Sequence, residues 1–155
     1  MTEKELWKAF IAESQLSDCE YEAWAFGTDA DLLAHLVLTG EKTATSSAYP
    51  LYELEKEPLP VAGEYSIILD SKDHAVCVVK TNSVSVVPFD EVTADHAFKE
   101  GEGDKSLDYW RKVHKKFFIK CLREVGLSFS TEMNVVCEEF EVVYKKYGRM
   151  NSDLN

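Results

Sequence analysis

A lysine and three hydroxyl residues follow a glycine in the segment Leu38–Ser46, which reads Leu-Thr-Gly-Glu-Lys-Thr-Ala-Thr-Ser. We expect Gly40 to end a short apolar helix, which places Lys42 at a helix-to-strand junction. A lysine beside hydroxyl groups can bind an anion or activate a nucleophile. We therefore take Lys42, Thr43 and Ser46 as candidate ligand-binding residues. The alternative is that the hydroxyl groups are ordinary strand residues.

A second concentration of positive charge lies in the predicted helix from about Ser106 to Val125. On a helical projection at about 100° per residue, apolar and basic side chains separate onto opposite sides. The apolar side carries Leu107, Trp110, Phe117, Phe118 and Cys121, and the basic side carries Lys112, Lys116, Lys120 and Arg123. We call the second set the basic helix face. It is either a solvated surface or the positive wall of a cleft, with Arg111 placed nearer the rim.

The formal net charge is −11. This charge argues against a protein that binds nucleic acid through its whole surface, because phosphate binding depends on positive charge and counterion release. A local basic patch such as the basic helix face remains compatible with RNA binding.

The four cysteines and four histidines show no spacing typical of a metal site. No pair of cysteines is separated by two residues, and no pair of histidines is placed to share one helical face. We therefore predict no metal, no cofactor and no disulfide framework.

Length and composition favour a single globular domain of 155 residues with 45% hydrophobic residues. No window approaches the roughly 18 uninterrupted apolar residues of a membrane-spanning helix, so we predict no membrane partner. The first residues also lack the basic-then-apolar order of a signal peptide, and we expect a cytoplasmic protein. The oligomeric state is not predicted.

The order of elements indicates an α+β fold. Apolar spacing predicts helices over Glu3–Glu13, Asp29–Thr39 and about Ser106–Val125, and a short helical connection over Phe89–Phe98. Alternation predicts strands over Tyr21–Gly27, Thr43–Tyr49, Glu64–Leu69, Ala75–Val87 and Asn134–Lys145. Glu53–Pro60 is expected to be a charged loop and Glu100–Asp104 a flexible acidic loop. A mixed or closed barrel of about five or six strands with flanking helices fits this order.

Three ranges describe the expected organisation. Residues 1–20 form a helix that packs on the domain, residues 21–147 form the domain itself, and residues 148–155 form a polar tail that frays.

Four blocks of the sequence together resemble the ASCH-domain family. They are Trp24–Gly27, Gly40–Thr45 (G-x-K-T-A-T), Val87–Val92 and Glu100–Arg111 (E-G-E-G-D-x-S-L-x-Y-W-R). These blocks resemble those of bacterial members in their order and spacing. Together the blocks span roughly residues 21–145. The resemblance implies a PUA-like β-barrel, a fold associated with RNA and modified-base recognition, with a cleft around the G-x-K-x-x-T segment.

Some members similar to this chain are amide hydrolases that remove the acetyl group of N4-acetylcytidine with a lysine, a threonine and a strand glutamate. The resemblance therefore makes Lys42 and Thr45 candidate catalytic residues. An ungapped placement puts the glutamate position at Lys80. Two lysines in one pocket would either lower the pKa of one of them or form a seat for an anionic ligand. Glu102 or Glu64 could instead supply the missing acid.

Two functions follow from these residues. The first is binding of RNA or a modified nucleoside in a cleft centred on Lys42, with Lys80, Arg111 and the basic helix face as contacts and stacking by Tyr49 and Trp110. The second is amide hydrolysis by Lys42 and Thr45, and whether the chain is an enzyme stays open. Metal-assisted RNA cleavage ranks last, because no ligand set is visible in the sequence.

Overall fold

The computed structural model describes residues 1–145. The predicted tail, and the last two residues of the predicted domain, lie outside this range. The elements are α1 (Glu3–Ser14), β1 (Tyr21–Ala25), α2 (Ala30–Thr39), β2 (Ala44–Ala48), α3 (Tyr49–Glu55), β3 (Tyr65–Leu69), β4 (Ala75–Pro88), a 3-10 turn (Phe89–Glu91), α4 (Ala94–Glu100), α5 (Leu107–Glu124) and β5 (Asn134–Lys145).

Five strands form one mixed sheet in the order β1-β3-β4-β5-β2. The β1/β3 pair is parallel, and the other three pairs are antiparallel. The sheet curls into a half-barrel whose two edges are β1 and β2. The α+β prediction with about five strands and flanking helices is therefore confirmed, with an open rather than a closed barrel.

Helices cover both faces of the sheet. Helix α1 packs Leu6 and Phe10 against Ile67 of β3 and Val78 of β4. Helix α2 packs on the opposite, inner face, where Val37 meets a cluster formed by Ile68, Cys77, Val79 and Phe140. Because side chains alternate along a strand, Glu138 lies on the same inner face as Phe140.

Local signals in the sequence account for the ends of the helices. Thr2 and Glu5 form a capping box at the start of α1, in which each side chain bonds the other residue's backbone N–H. Gly40 ends α2 with a φ of +86°, in the left-handed region that glycine adopts at low cost. The predicted end of this helix at Gly40 is thus confirmed.

The segment Tyr49–Glu55 differs from the prediction, since it forms α3 rather than extended chain and loop. Pro50 lies in the first turn of this helix, where its missing N–H costs nothing. A seven-residue helix is too short to show a clear apolar stripe, which is why the sequence pattern did not reveal it.

The end of α4 docks on the segment that carries Lys42. The Thr43 N–H donates to the Lys99 carbonyl over 2.7 Å, and Gly101, with a φ of +70°, follows the helix. A Cβ atom on Gly101 would overlap the Glu41 carbonyl oxygen and lie 2.8 Å from its carbonyl carbon. This close approach of two backbones brings Glu100 and Lys42 together.

Replacing Gly101 with alanine is expected to lower the free energy of unfolding by on the order of 3 kcal/mol, because the added methyl group meets backbone that cannot rotate away. Gly63→Ala is the matched control. Gly63 also has a positive φ, +98°, but a Cβ there meets nothing within 4 Å. Chemical denaturation of both variants separates the effect of the steric clash from that of backbone strain. Equal losses of unfolding free energy in the two variants would contradict the close contact between Gly101 and the Glu41 backbone.

Candidate functional site

A cavity of about 510 Å³ fills the open side of the half-barrel. Its lining includes Trp24 of edge strand β1, Thr45 of edge strand β2 and Phe117 of α5. The backbone at Gly27 passes so close to α5 that a Cβ there would lie 3.2 Å from the Phe117 ring. The cavity is thus bounded by both sheet edges and by the helix.

Lys42 lies in the wall of this cavity and is only 1% exposed. Its Nζ donates to Glu102 Oε2 at 2.8 Å, to the Ala44 carbonyl at 2.9 Å and to Glu100 Oε1 at 3.1 Å. The Glu100 carbonyl lies further away, at 3.4 Å. Two carboxylates and two carbonyl groups therefore surround the ammonium group.

The carboxylate of Glu100 is the centre of a buried polar network, and its side chain is only 2% exposed. Besides Lys42, its Oε1 lies 3.3 Å from His114 Nε2. Its Oε2 accepts hydrogen bonds from Ser46 Oγ and Trp110 Nε1, each at 2.5 Å, and lies 3.2 Å from His96 Nε2. Each oxygen of this buried carboxylate is thus surrounded by donors, as burial of a charge requires.

The pKa of Glu100 reflects this environment. Burial raises the pKa, but Lys42, His114 and the hydrogen bonds from His114 and His96 outweigh burial and hold the pKa well below its ordinary value. Glu100 is therefore ionised at neutral pH.

His96 is held in its protonated form. Burial lowers its pKa, but hydrogen bonds with Cys137 and Glu100 outweigh burial and raise the pKa to about 9. Its Nε2 lies 2.7 Å from Ser46 Oγ, which itself donates to Glu100. A protonated imidazole cannot accept the Ser46 proton, so this pair is a positioning arrangement rather than an activated serine nucleophile.

A second polar region of the cavity centres on Glu138. Thr81 Oγ1 donates to Glu138 Oε2 at 2.7 Å, and both residues line the cavity. Burial raises the pKa of Glu138, the Thr81 hydrogen bond lowers it, and the charges of Glu64 and Glu22 raise it further, with a net upward shift. These glutamates make this part of the cavity acidic.

Glu100, Glu102 and His114 form a group that could ligate a metal ion. Each offers a ligand atom, and these atoms lie within 4.8 Å of one another. Lys42 already donates to both carboxylates, so its ammonium group provides the positive charge that an ion would bring. The expectation of no metal stays a prediction.

Three of the predicted site residues come together. Lys42, Thr45 and Ser46 all line the cavity. Thr43, the fourth predicted residue of this segment, is not part of the cavity lining formed by residues 1–145. Its hydroxyl group instead donates to the Lys99 carbonyl at 3.4 Å.

Four other predicted contacts lie away from the lining formed by residues 1–145. Trp110 is 2% exposed and bonds Glu100, so its ring is a core side chain that cannot stack on a ligand. Lys80 lies on β4 with its ammonium group 6.0 Å from the centre of the Tyr65 ring, and it is not among the residues of 1–145 that line the cavity with Lys42. Arg111 reaches the Asp90 carbonyl at 3.3 Å, and its buried Nε has no hydrogen-bond partner among residues 1–145. Tyr49 is half-buried at the start of α3.

The basic helix face is exposed along its whole length, at Lys112, Lys116, Lys120 and Arg123. No salt bridge involves these four side chains within residues 1–145. The same helix contributes Val113, His114 and Phe117 to the cavity. The four charges are therefore free to meet a ligand next to the cavity.

Sequence reasoning missed the roles of Glu100, His96 and Glu138. Glu100 was assigned to a flexible acidic loop, although Thr93 could have indicated a helix N-cap three residues before His96. Glu138 is the one acid on the face of β5 that also carries Val136, Phe140 and Val142, and a carboxylate at such a position is a signal for a functional group. No signal in the sequence pairs Lys42 with Glu100 across 58 residues.

The ASCH-domain family model matches residues 22–144. The chain belongs to the ASCH-domain family. Two solved structures are similar to it over nearly their whole length. The ASCH domain from Lactobacillus crispatus JV V101 is 32% identical, with 90% of this chain and 95% of that chain covered and a TM-score of 0.82. Protein EF3133 from Enterococcus faecalis V583 is 35% identical, with 90% and 91% covered and a TM-score of 0.81.

Comparison with curated proteins gives no match. Within residues 1–145, no helix has both the length and the apolar character needed to cross a membrane.

The imidazole of His96 is expected to titrate near pH 9 when followed by NMR, and the His96→Gln variant assigns the signal. The folded pKa lies above the ordinary value of 6.5, so the stabilisation is fully present below about pH 6.5 and is lost as the pH rises through about 9. The free energy of unfolding of the unmodified protein should therefore fall more between these pH values than that of His96→Gln. A pKa of His96 below 7 would contradict the conclusion that its imidazole is protonated at neutral pH.

Proposed function

We propose that this ASCH-domain protein binds a nucleoside unit, free or as an unpaired base of RNA, in the cavity beside Lys42. The observation that carries the proposal is the cavity itself, which joins a buried charged network to aromatic walls at the open side of the half-barrel. Its volume of about 510 Å³ falls within the range of about 300–1,000 Å³ typical of small-molecule sites.

The walls of the cavity suit a planar base. Trp24, Phe26, Tyr65 and Phe117 all contribute to the lining. Every base has a π-face that can stack on such rings, whereas its polar edges need hydrogen-bonding partners. The lining provides such partners at Thr45, Ser46, Thr81 and Glu138.

The basic helix face supports RNA as the source of the nucleoside. On α5, Lys116 and Lys120 are within about 100° of the cavity-lining Phe117 around the helix axis. A base inside the cavity would therefore leave its backbone phosphates near exposed lysines. The cavity itself carries six glutamates and one lysine, so the phosphates are expected to stay outside it.

Amide hydrolysis is a second candidate function, favoured by the contact between Lys42 and Glu100. The resemblance to amide hydrolases implied a lysine, a threonine and a glutamate. Here the glutamate next to Lys42 comes from the end of α4 and not from the position of Lys80. Thr45 lines the same cavity.

Lys42, Thr45 and Glu102, the second carboxylate in contact with Lys42, can divide the reaction between them. Thr45 Oγ, or a water molecule bound to it, attacks the amide carbonyl carbon, and the positive charge of Lys42 in the cavity wall stabilises the oxygen as it becomes an oxyanion. Glu102, whose side chain is 16% exposed, takes the proton of the nucleophile and passes it to the nitrogen as the C–N bond breaks. Attack by Thr45 releases the free amine and leaves an ester on Thr45, which water then hydrolyses to the carboxylic acid, whereas attack by water gives the amine and the acid directly.

Binding of a short single-stranded RNA should be weakened by the double variant Lys116→Glu/Lys120→Glu. The slope of log affinity against log salt, measured by fluorescence anisotropy, should fall by about 1.4, because about one phosphate contact is lost per lysine and each contact on a single strand contributes about 0.7. The double variant Lys4→Glu/Lys8→Glu changes the net charge equally on exposed positions of α1 and should bind like the unmodified protein. Equal weakening of RNA binding in both variants would show that binding depends on net charge alone. It would contradict a specific role for the basic helix face.

Hydrolysis of N4-acetylcytidine to cytidine, followed by chromatography, tests the second function. Thr45→Val keeps the shape of the side chain and is expected to lower kcat by on the order of 100-fold, since the hydroxyl group is lost from the cavity. Thr43→Val is the control, because its hydroxyl group does not line the cavity. Lys42 is left unchanged, since its removal would leave Glu100 buried without its main partner. Absence of turnover in the unmodified protein would rule out this substrate and leave nucleoside binding in place.

A further inference from the structure

The side chain of Glu138 belongs to the cavity lining, and among residues 1–145 a hydrogen-bond donor reaches only one of its two carboxylate oxygens. Its Oε2 accepts the hydrogen bond from Thr81 Oγ1, and among residues 1–145 no donor reaches Oε1. Glu138 is part of the cavity lining, so Oε1 is available to a molecule bound there. Thr81 is itself 2% exposed, which fixes the orientation of the carboxylate.

Glu138 lies directly beside Thr45. The two residues are partners in the antiparallel β2/β5 pair. Directly opposed residues project from the same face of a sheet with Cβ atoms about 5 Å apart. A ligand group that contacts the Thr45 hydroxyl is therefore within reach of Glu138 as well.

The surroundings of Glu138 favour a hydrogen-bond donor on the ligand. A carboxylate accepts hydrogen bonds only, and the charges of Glu22 and Glu64 add to the negative potential there. A ligand carbonyl or phosphate oxygen placed at this position would be repelled, whereas an N–H group would be bound.

We propose that Glu138 selects ligands whose base carries an exocyclic amino or amide N–H group, which donates to Glu138 Oε1 beside Thr45. The inference rests on nucleoside binding in the cavity and adds to it a class of base. Thr81 acts as a positioning residue, since it acts on the ligand only through Glu138. Cytidine and adenosine have the required amino group, and their analogues without it do not.

The test compares pairs of nucleosides that differ only in this amino group. Cytidine is paired with pyrimidin-2-one riboside and adenosine with purine riboside, and affinities are measured by calorimetry at about pH 8, where a carboxyl group with a raised pKa is ionised. In the unmodified protein we expect at least one amino-bearing member to bind about 10-fold or more tightly than its partner.

Variants of the protein test whether Glu138 causes the difference in affinity between the two members of each pair. Glu138→Met retains the length of the side chain without an acceptor, and it should bring the ratio of affinities within each pair close to about 1. Thr81→Val should lower the ratio in part, because the carboxylate loses its orienting hydrogen bond. Glu55→Gln alters another carboxylate of the same lining, on exposed α3, and should leave the ratio unchanged. Thermal unfolding of each variant identifies any loss of fold, and Thr81→Val retains the test if Glu138→Met unfolds.

The outcomes separate the two proposals. If both members of each pair bind equally well to the unmodified protein, nucleoside binding stands and the selection by Glu138 is wrong. A ratio that survives in Glu138→Met also overturns the selection. If none of the four nucleosides binds, both proposals fail.

Discussion

The buried carboxylate of Glu100 is the interaction on which the arrangement of the site depends. Moving a carboxylate out of water costs several kcal/mol, so the surrounding structure must supply donors to both of its oxygens. Helices α4 and α5 and the segment before β2 each contribute donors, through His96, Trp110 and Lys42. One buried charge thus fixes three separate elements relative to one another and sets the wall of the cavity.

This network also decides what Lys42 can do. Its ammonium group already meets two carboxylates and two carbonyl groups, an environment suited to a fixed positive charge that donates hydrogen bonds. Such a group stabilises negative charge on a ligand but is a poor proton acceptor. The partly exposed side of the network, at Glu102, is the more suitable place for proton transfer. The chemistry available at the site therefore follows from which of its groups are already saturated by protein partners.

The sequence predicted most of the fold because its signals are local. Spacing of apolar residues, Gly40 and strand alternation located the main helices and all five strands, and only the short helix α3 was missed. The site was predicted less well because its pairs are distant in sequence. Lys42 was identified correctly, but its partner Glu100 sits 58 residues away, and burial of an acid in a seemingly flexible loop leaves no periodic signal. The helical projection placed Trp110 on the apolar side of its helix, but the sequence does not reveal that Glu100 accepts its N–H group.

The distribution of charge is compatible with the proposed binding of RNA by an acidic chain. The net charge is −11, and six of the glutamates that contribute to it line the cavity. Exposed charges further apart than about 8–10 Å are largely screened at physiological salt, so the basic helix face acts locally. The phosphates of an RNA would be attracted to that face and repelled from the cavity, while an uncharged base suffers no such repulsion. Opposite charge on the helix and in the cavity would therefore orient a nucleotide, base inward and phosphate outward, before any specific hydrogen bond forms.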